Sequence, residues 1–160
     1  MAVAAAAAVI RFTDFRSAED YYSSDYTENL VSAGTVSLEI RCDTIAGKSE
    51  YAPENGVILD KTEFTIEEGY TVFDVLTDAA RQNGIHMENK GGAGNAHGMA
   101  YIAGINYIYE FDFGDLSGWV YHVNEKSPSV GCGEYVLHDG DEIQWLYTCN
   151  LGKDLNEVYE

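Results

Sequence analysis

The chain has 160 residues, 46% of them apolar and 12% aromatic, which suits one domain with a core of its own and a short appendage. Its formal charge of −18, with only 9 scattered Lys and Arg, argues against nucleic acid as a partner, because neutralising phosphates needs clustered cations. Docking onto anionic lipid is disfavoured for the same reason, and plentiful Tyr, Val and Gly with scarce Leu favour sheet over a helical bundle.

The opening MAVAAAAAVI is apolar but shorter than the roughly 20 residues a membrane-crossing helix needs. It lacks the basic start of a signal peptide. It reads as a boundary: the remainder of a trimmed export segment, an artificial edge, or an Ala-rich helix or strand. Residues 11–33 are polar, acidic and weakly periodic, with clustered tyrosines, as in a linker or docked arm. Residues 1–34 are therefore expected to form an N-terminal arm or linker, 35–154 the domain, and 155–160 a tail.

Regular organisation begins at Thr35. Val36, Leu38, Ile40 and Cys42 alternate with Ser37, Glu39, Arg41 and Asp43, the period-2 pattern of an amphipathic strand. After the turn-rich KSEYAPENG, a second strand runs from Val57 to Ile66 and stops at the turn Glu67–Gly69. The period then changes. Thr71 with Asp74 three residues on forms a weak capping box, and Val72, Phe73, Val75, Leu76, Ala79 and Ala80 make one apolar stripe. Gly84 follows at the position of a left-handed C-cap. A short strand is expected at Ile85–Met87, a glycine-rich loop at Asn89–Gly98, and one strand over Tyr101–Ile108, interrupted by Gly104. Two aromatic-rich strands follow, Trp119–Val123 and Glu142–Cys149. The link between them holds Pro128, Gly131, Gly133 and the turn His138–Asp141.

A hairpin, one helix crossing the sheet and then more strands predict an α+β fold. The order suits a β-grasp-like (ubiquitin-like) roll, a mixed sheet with one covering helix. In that arrangement the first and last strands, Val36–Cys42 and Ile143–Cys149, lie parallel at the centre.

The residues offer little catalytic chemistry. His86, His97, His122 and His138 are dispersed and Cys42, Cys132 and Cys149 lack C-x-x-C spacing, so zinc is not expected. Glu110, Asp112 and Asp115, or Asp139 and Asp141, supply oxygen ligands of the kind calcium takes, but without EF-hand spacing. Ser117, His122 and Asp115 lie close in sequence, yet no nucleophile elbow frames them. The loop NKGGAGNAHG lacks the Lys-Ser/Thr ending of a phosphate cradle. Cys132, between two glycines, has few positive neighbours to make it a nucleophile. Cys42 and Cys149 share the inward parity of the two central strands, so a disulfide between them is expected at one sheet edge; two buried thiols are the alternative. Trp119 and Tyr121 share one face, as do Trp145 and Tyr147. These rings either pack on Phe73 and Leu76 as core, or part of this set, or else Tyr101, Tyr107 and Tyr109, lines an open sheet face as an aromatic platform for a planar or glycan ligand or a partner protein.

The runs EFDFGDLSGWVYHVN and SVGCGEYVLHDGDEIQWLYTCNLGKD, with VSLEIRCDTI and TVFDVLTDAA upstream, resemble a bacterial domain family related to the C-terminal domain of transcobalamin and intrinsic factor. The resemblance covers roughly Thr35 to Asp154. It implies a β-grasp-like domain of secreted or wall-attached proteins of Gram-positive bacteria, often beside adhesin-like modules and of generally unassigned function. The family's usual V-N-G is Val123-Asn124-Glu125 here, which puts that turn's conformation in question. The animal relatives close over cobalamin together with a helical barrel domain. His97 in the GNAHG loop is either an exposed loop histidine or, by that analogy, an axial ligand to a corrinoid cobalt.

The expectation is a non-catalytic extracellular binding or adhesion module of a bacterial cell-surface protein. Its ligand-binding residues are drawn from Trp119, Tyr121, Tyr101, Tyr107 and His97, and its ligand is a protein, a glycan or a small molecule. No cofactor is expected, with cobalamin or calcium as alternatives, and no membrane insertion by this segment. The rival functions are a corrinoid-binding domain and a hydrolase of cell-wall polymers acting through Asp115 or His122.

Overall fold

The alternation that begins at Thr35 becomes strand β1, Ser32–Arg41, with Val36, Leu38 and Ile40 buried on one face. The computed structural model describes residues 32–91 and 100–155, all within the compact unit Val31–Glu160. The expected arm therefore lies almost wholly outside the described residues, as do His97 and most of the glycine-rich loop.

β1 pairs antiparallel with β2, Val57–Glu67, and parallel with β7, Glu142–Thr148. In the parallel pair Leu38 stands beside Ile143 and Ile40 beside Trp145, so two inward rows merge into one apolar surface. β6, Gly118–Val123, completes the sheet on the far side of β7, with Trp119 opposite Tyr147 and Tyr121 opposite Trp145. The strand order is β2-β1-β7-β6, with the first and last strands of the chain parallel at its centre.

Helix α1, Val72–Asn83, is the one α-helix among the described residues and lies against β1 and β2. Its capping box forms: the Thr71 hydroxyl accepts the Asp74 amide, and the Asp74 carboxylate accepts the Thr71 amide at 2.9 Å. Val72, Val75, Leu76 and Ala79 are buried, each contributing on the order of 1–3 kcal/mol except the smaller Ala79. Gly84 takes the left-handed C-cap (φ 65°), and the amides of Gly84 and Ile85 both donate to the Ala80 carbonyl. Ile85 is thereby spent on the helix end. The strand expected at Ile85–Met87 starts two residues later, as β3, Met87–Asn89.

A second correction follows. The single strand expected over Tyr101–Ile108 is a hairpin of β4, Ile102–Ile105, and β5, Ile108–Tyr109. Asn106 and Tyr107 form a two-residue turn with φ 52° and 61°, the left-handed pair of a type I′ turn. β3, β4 and β5 make a separate three-stranded sheet. Gly104 is required in it: a Cβ there would sit 2.5 Å from the Tyr109 ring.

The expected Cys42–Cys149 disulfide is not present; both cysteines are free. The parallel register, Arg41 beside Leu146, runs out before either thiol is reached. The chain leaves β1 at Cys42 into a 3-10 turn, Asp43–Ile45, while β7 continues to Thr148. Cys42 and Cys149 share a parity, but a shared parity does not give the short Cα separation a disulfide needs.

Candidate functional site

The buried aromatics are structural. Trp119 is only 8% exposed, donates its indole N–H to the Ile108 carbonyl at 2.8 Å and meets Tyr147 edge-on. Tyr121, half-buried, donates its hydroxyl to the Val130 carbonyl at 2.7 Å and leans on Trp145. Burial pushes its phenol up to about 12. Trp119 ties β5 to the main sheet and Tyr121 ties the β6–β7 link to it, and the two do not form an open platform.

The exposed rings gather on the small sheet. Tyr107, 50% exposed, stacks flat on His86 with ring centroids 4.3 Å apart and planes 4° apart. Tyr51, 41% exposed, lies 5.1 Å from Tyr107 at a 40° tilt. Tyr109 meets His86 edge-on, and its hydroxyl lies 3.0 Å from His86 Nε2. The four rings form a continuous ladder from the loop before β2 across to β5. Asn106 fixes the junction by donating its side-chain amide to the Tyr51 carbonyl at 2.8 Å. The left-handed backbone at Tyr107 costs about 1–2 kcal/mol, a cost that a glycine would avoid.

Beside the ladder, Tyr101 is 51% exposed and donates its hydroxyl to Glu110. Lys90 donates to the other oxygen of Glu110. The Glu110 carboxyl is held below its usual value, chiefly by Lys90 and then by Tyr101. The same hydrogen bond, with some burial, raises the Tyr101 phenol to about 12. The Asn89 side-chain oxygen accepts the Gly91 and Tyr101 amides. This network clamps the two ends of the glycine-rich loop to the small sheet. Sequence reasoning had singled out Tyr101, Tyr107 and Tyr109 but missed Tyr51 and His86, which only the fold brings to them.

The groups considered for catalysis do not converge. Ser117 is buried, its hydroxyl donated to the Gly114 carbonyl, and sits on the odd-numbered, inward parity of β6. His122 faces the opposite side of that strand, in a shallow groove of about 400 Å³ with Val120, Glu125, Ser127 and Lys153. Its imidazole is held below the usual value by desolvation. Cys132 is buried near the Ala100 carbonyl and burial pushes its thiol up to about 11, the reverse of an activated nucleophile. Three of the five acidic residues weighed for calcium accept backbone amides: Asp112 and Asp141 those of Tyr109 and His138 within their turns, and Asp139 that of Thr35 in β1. Among the described residues no three His, Cys, Asp or Glu side chains cluster as a metal site. No helix among them is long and apolar enough to cross a membrane.

The model of DUF4430, a domain of unknown function, matches residues 69–149, just over half of the chain, and the chain belongs to that family. No curated protein matches it. Among solved structures it is similar to haptocorrin in complex with Cbi, with a TM-score of 0.50 and 18% identity over 74% of this chain and 26% of that one. It thus spans about a quarter of haptocorrin's length. A Ruminococcus gnavus ATCC 29149 protein proposed to bind metal gives a TM-score of 0.46 at 9% identity over 72% of this chain and 96% of that one. At 18% identity the likeness to haptocorrin is one of fold alone, that of a mixed α+β domain.

Proposed function

We propose that residues 35–154 form a β-grasp-like, non-catalytic binding module that works outside the cell as part of a bacterial surface protein. Its ligand would be engaged through the ring ladder of the small sheet. The observation that carries this reading is Tyr107, held half-exposed on a left-handed turn between Tyr51 and His86. An exposed ring whose geometry is fixed in advance loses little entropy on binding. The probe is purified Gram-positive cell-wall sacculi. Wild-type protein is expected to co-sediment with them, and Tyr107→Asn, which keeps a residue tolerant of the left-handed turn, to remain in the supernatant. Equal sedimentation of both would move the site elsewhere.

A second reading, corrinoid binding, is favoured by the fold shared with haptocorrin in complex with Cbi. The exposed rings offer an apolar surface to a corrin edge. Titrating the protein with cobalamin should then shift the visible absorption of the corrin. An unchanged spectrum at high protein concentration would remove this reading.

A further inference from the structure

The ring ladder stands in a strongly electronegative setting. The chain carries −18 formal charges. The Glu50 carboxylate lies against Tyr51 and raises the phenol's pKa, its charge being the largest cause. The two lysines nearest in sequence to these groups are committed elsewhere: Lys48 donates to the Thr44 carbonyl and Lys90 to Glu110. An aromatic ring presents negative potential on its face, so rings beside a carboxylate favour cations over anions.

We propose that Tyr51 and Tyr107, with Glu50 beside them, bind the ammonium group of an organic cation. The inference rests on reading this aromatic surface as the binding site and names what that site selects. The two centroids are 5.1 Å apart, so one ammonium can lie within about 6 Å of both, the range over which a cation is attracted to a ring. Each ring keeps a large part of its surface in water. His86 stacks on one face of Tyr107. The tilt between Tyr51 and Tyr107 lets a rounded, alkylated ammonium touch two rings at once, where a flat or anionic group would gain less.

The test is a titration of the full chain, carrying 13C-labelled tyrosine, with choline and in parallel with its neutral isostere 3,3-dimethylbutanol, followed by two-dimensional NMR. Choline should shift the Tyr51 and Tyr107 ring resonances while the isostere leaves them in place. Tyr51→Leu, which keeps the apolar bulk but removes the ring, and the surface change Glu50→Gln should each weaken the choline association about three- to fivefold. Equal shifts from both compounds would overturn the cation inference and leave an apolar binding surface. Silence from both, with sacculi binding still lost in Tyr107→Asn, would overturn the cation inference alone. Silence from both, with sacculi binding indifferent to Tyr107, would overturn the inference and the site together.

Discussion

The two sheets solve different problems with the same residue type. In the four-stranded sheet, aromatic rings face inward: Trp119, Trp145 and Tyr147 are buried in the core. In the three-stranded sheet the strands have only two to four residues, and Tyr51, Tyr101 and Tyr107 reach water. Three non-glycine residues with left-handed backbone, Asn106, Tyr107 and Phe111, fall within six positions there. A sheet this short is not stable by itself and depends on the larger one for support. The large sheet supplies stability, and the small one uses it to hold rings in conformations that cost energy.

The sharpest way to break this contrast is to remove an inward ring. Trp145→Ala, at the junction of β1 and β7, should cost about 3–5 kcal/mol, read as a lower midpoint in chemical denaturation. A cost under ~1 kcal/mol would mean that the core lies elsewhere. Gly104→Ala drives a methyl into the Tyr109 ring and should cost about 1–3 kcal/mol. Hydrogen exchange should show the loss concentrated in β3–β5, and uniform loosening would contradict the division into two regions.

A smaller effect of opposite sign sharpens the comparison. Asn124 and Glu125 adopt the left-handed pair (φ 52° and 65°) despite Glu standing where the family resemblance expects Gly. Asn124 secures the turn by accepting the Glu142 amide and donating to Asp141. Glu125→Gly should therefore stabilise the protein by about 1 kcal/mol. The parallel change Tyr107→Gly should gain nothing, because it also removes the contacts with His86 and Tyr51. The smallest effect concerns pH. His122 titrates lower in the folded chain than its usual value near 6.5, so the unfolded chain binds the proton first. Its contribution is complete above about pH 6.5 and is lost as pH falls through the lower folded value. His122→Gln should flatten that part of the stability profile, measured by denaturation between about pH 7.5 and 5. A profile unchanged by the substitution would show that other groups set it.

The large sheet was legible in the sequence because its signals are local and redundant. Val36–Cys42 alternates cleanly, Thr71 and Asp74 announce the helix, and Gly84 ends it. The small sheet was not. Its hairpin turns on Asn-Tyr, and with no glycine at the second position the run IAGINYI reads as one strand. Tyr51 sits 56 residues from Tyr107, in a stretch of turn residues, and is held there by contacts distant in sequence, among them the bond from Asn106 to its carbonyl and the burial of Ala52. His86 looked like one of four scattered histidines until the hairpin laid Tyr107 across it. The inward aromatics misled in the other direction: Trp119 and Tyr121 were candidates for a platform because alternation shows which residues share a face but not which face is covered.

The division of labour stands or falls on Tyr107. In Tyr107→Asn, with sacculi co-sedimentation measured at equal folded fraction, binding should be lost while the denaturation midpoint stays close to wild type. Full retention on the sacculi, together with a large drop in the midpoint, would make the exposed ladder part of the scaffold and contradict the account.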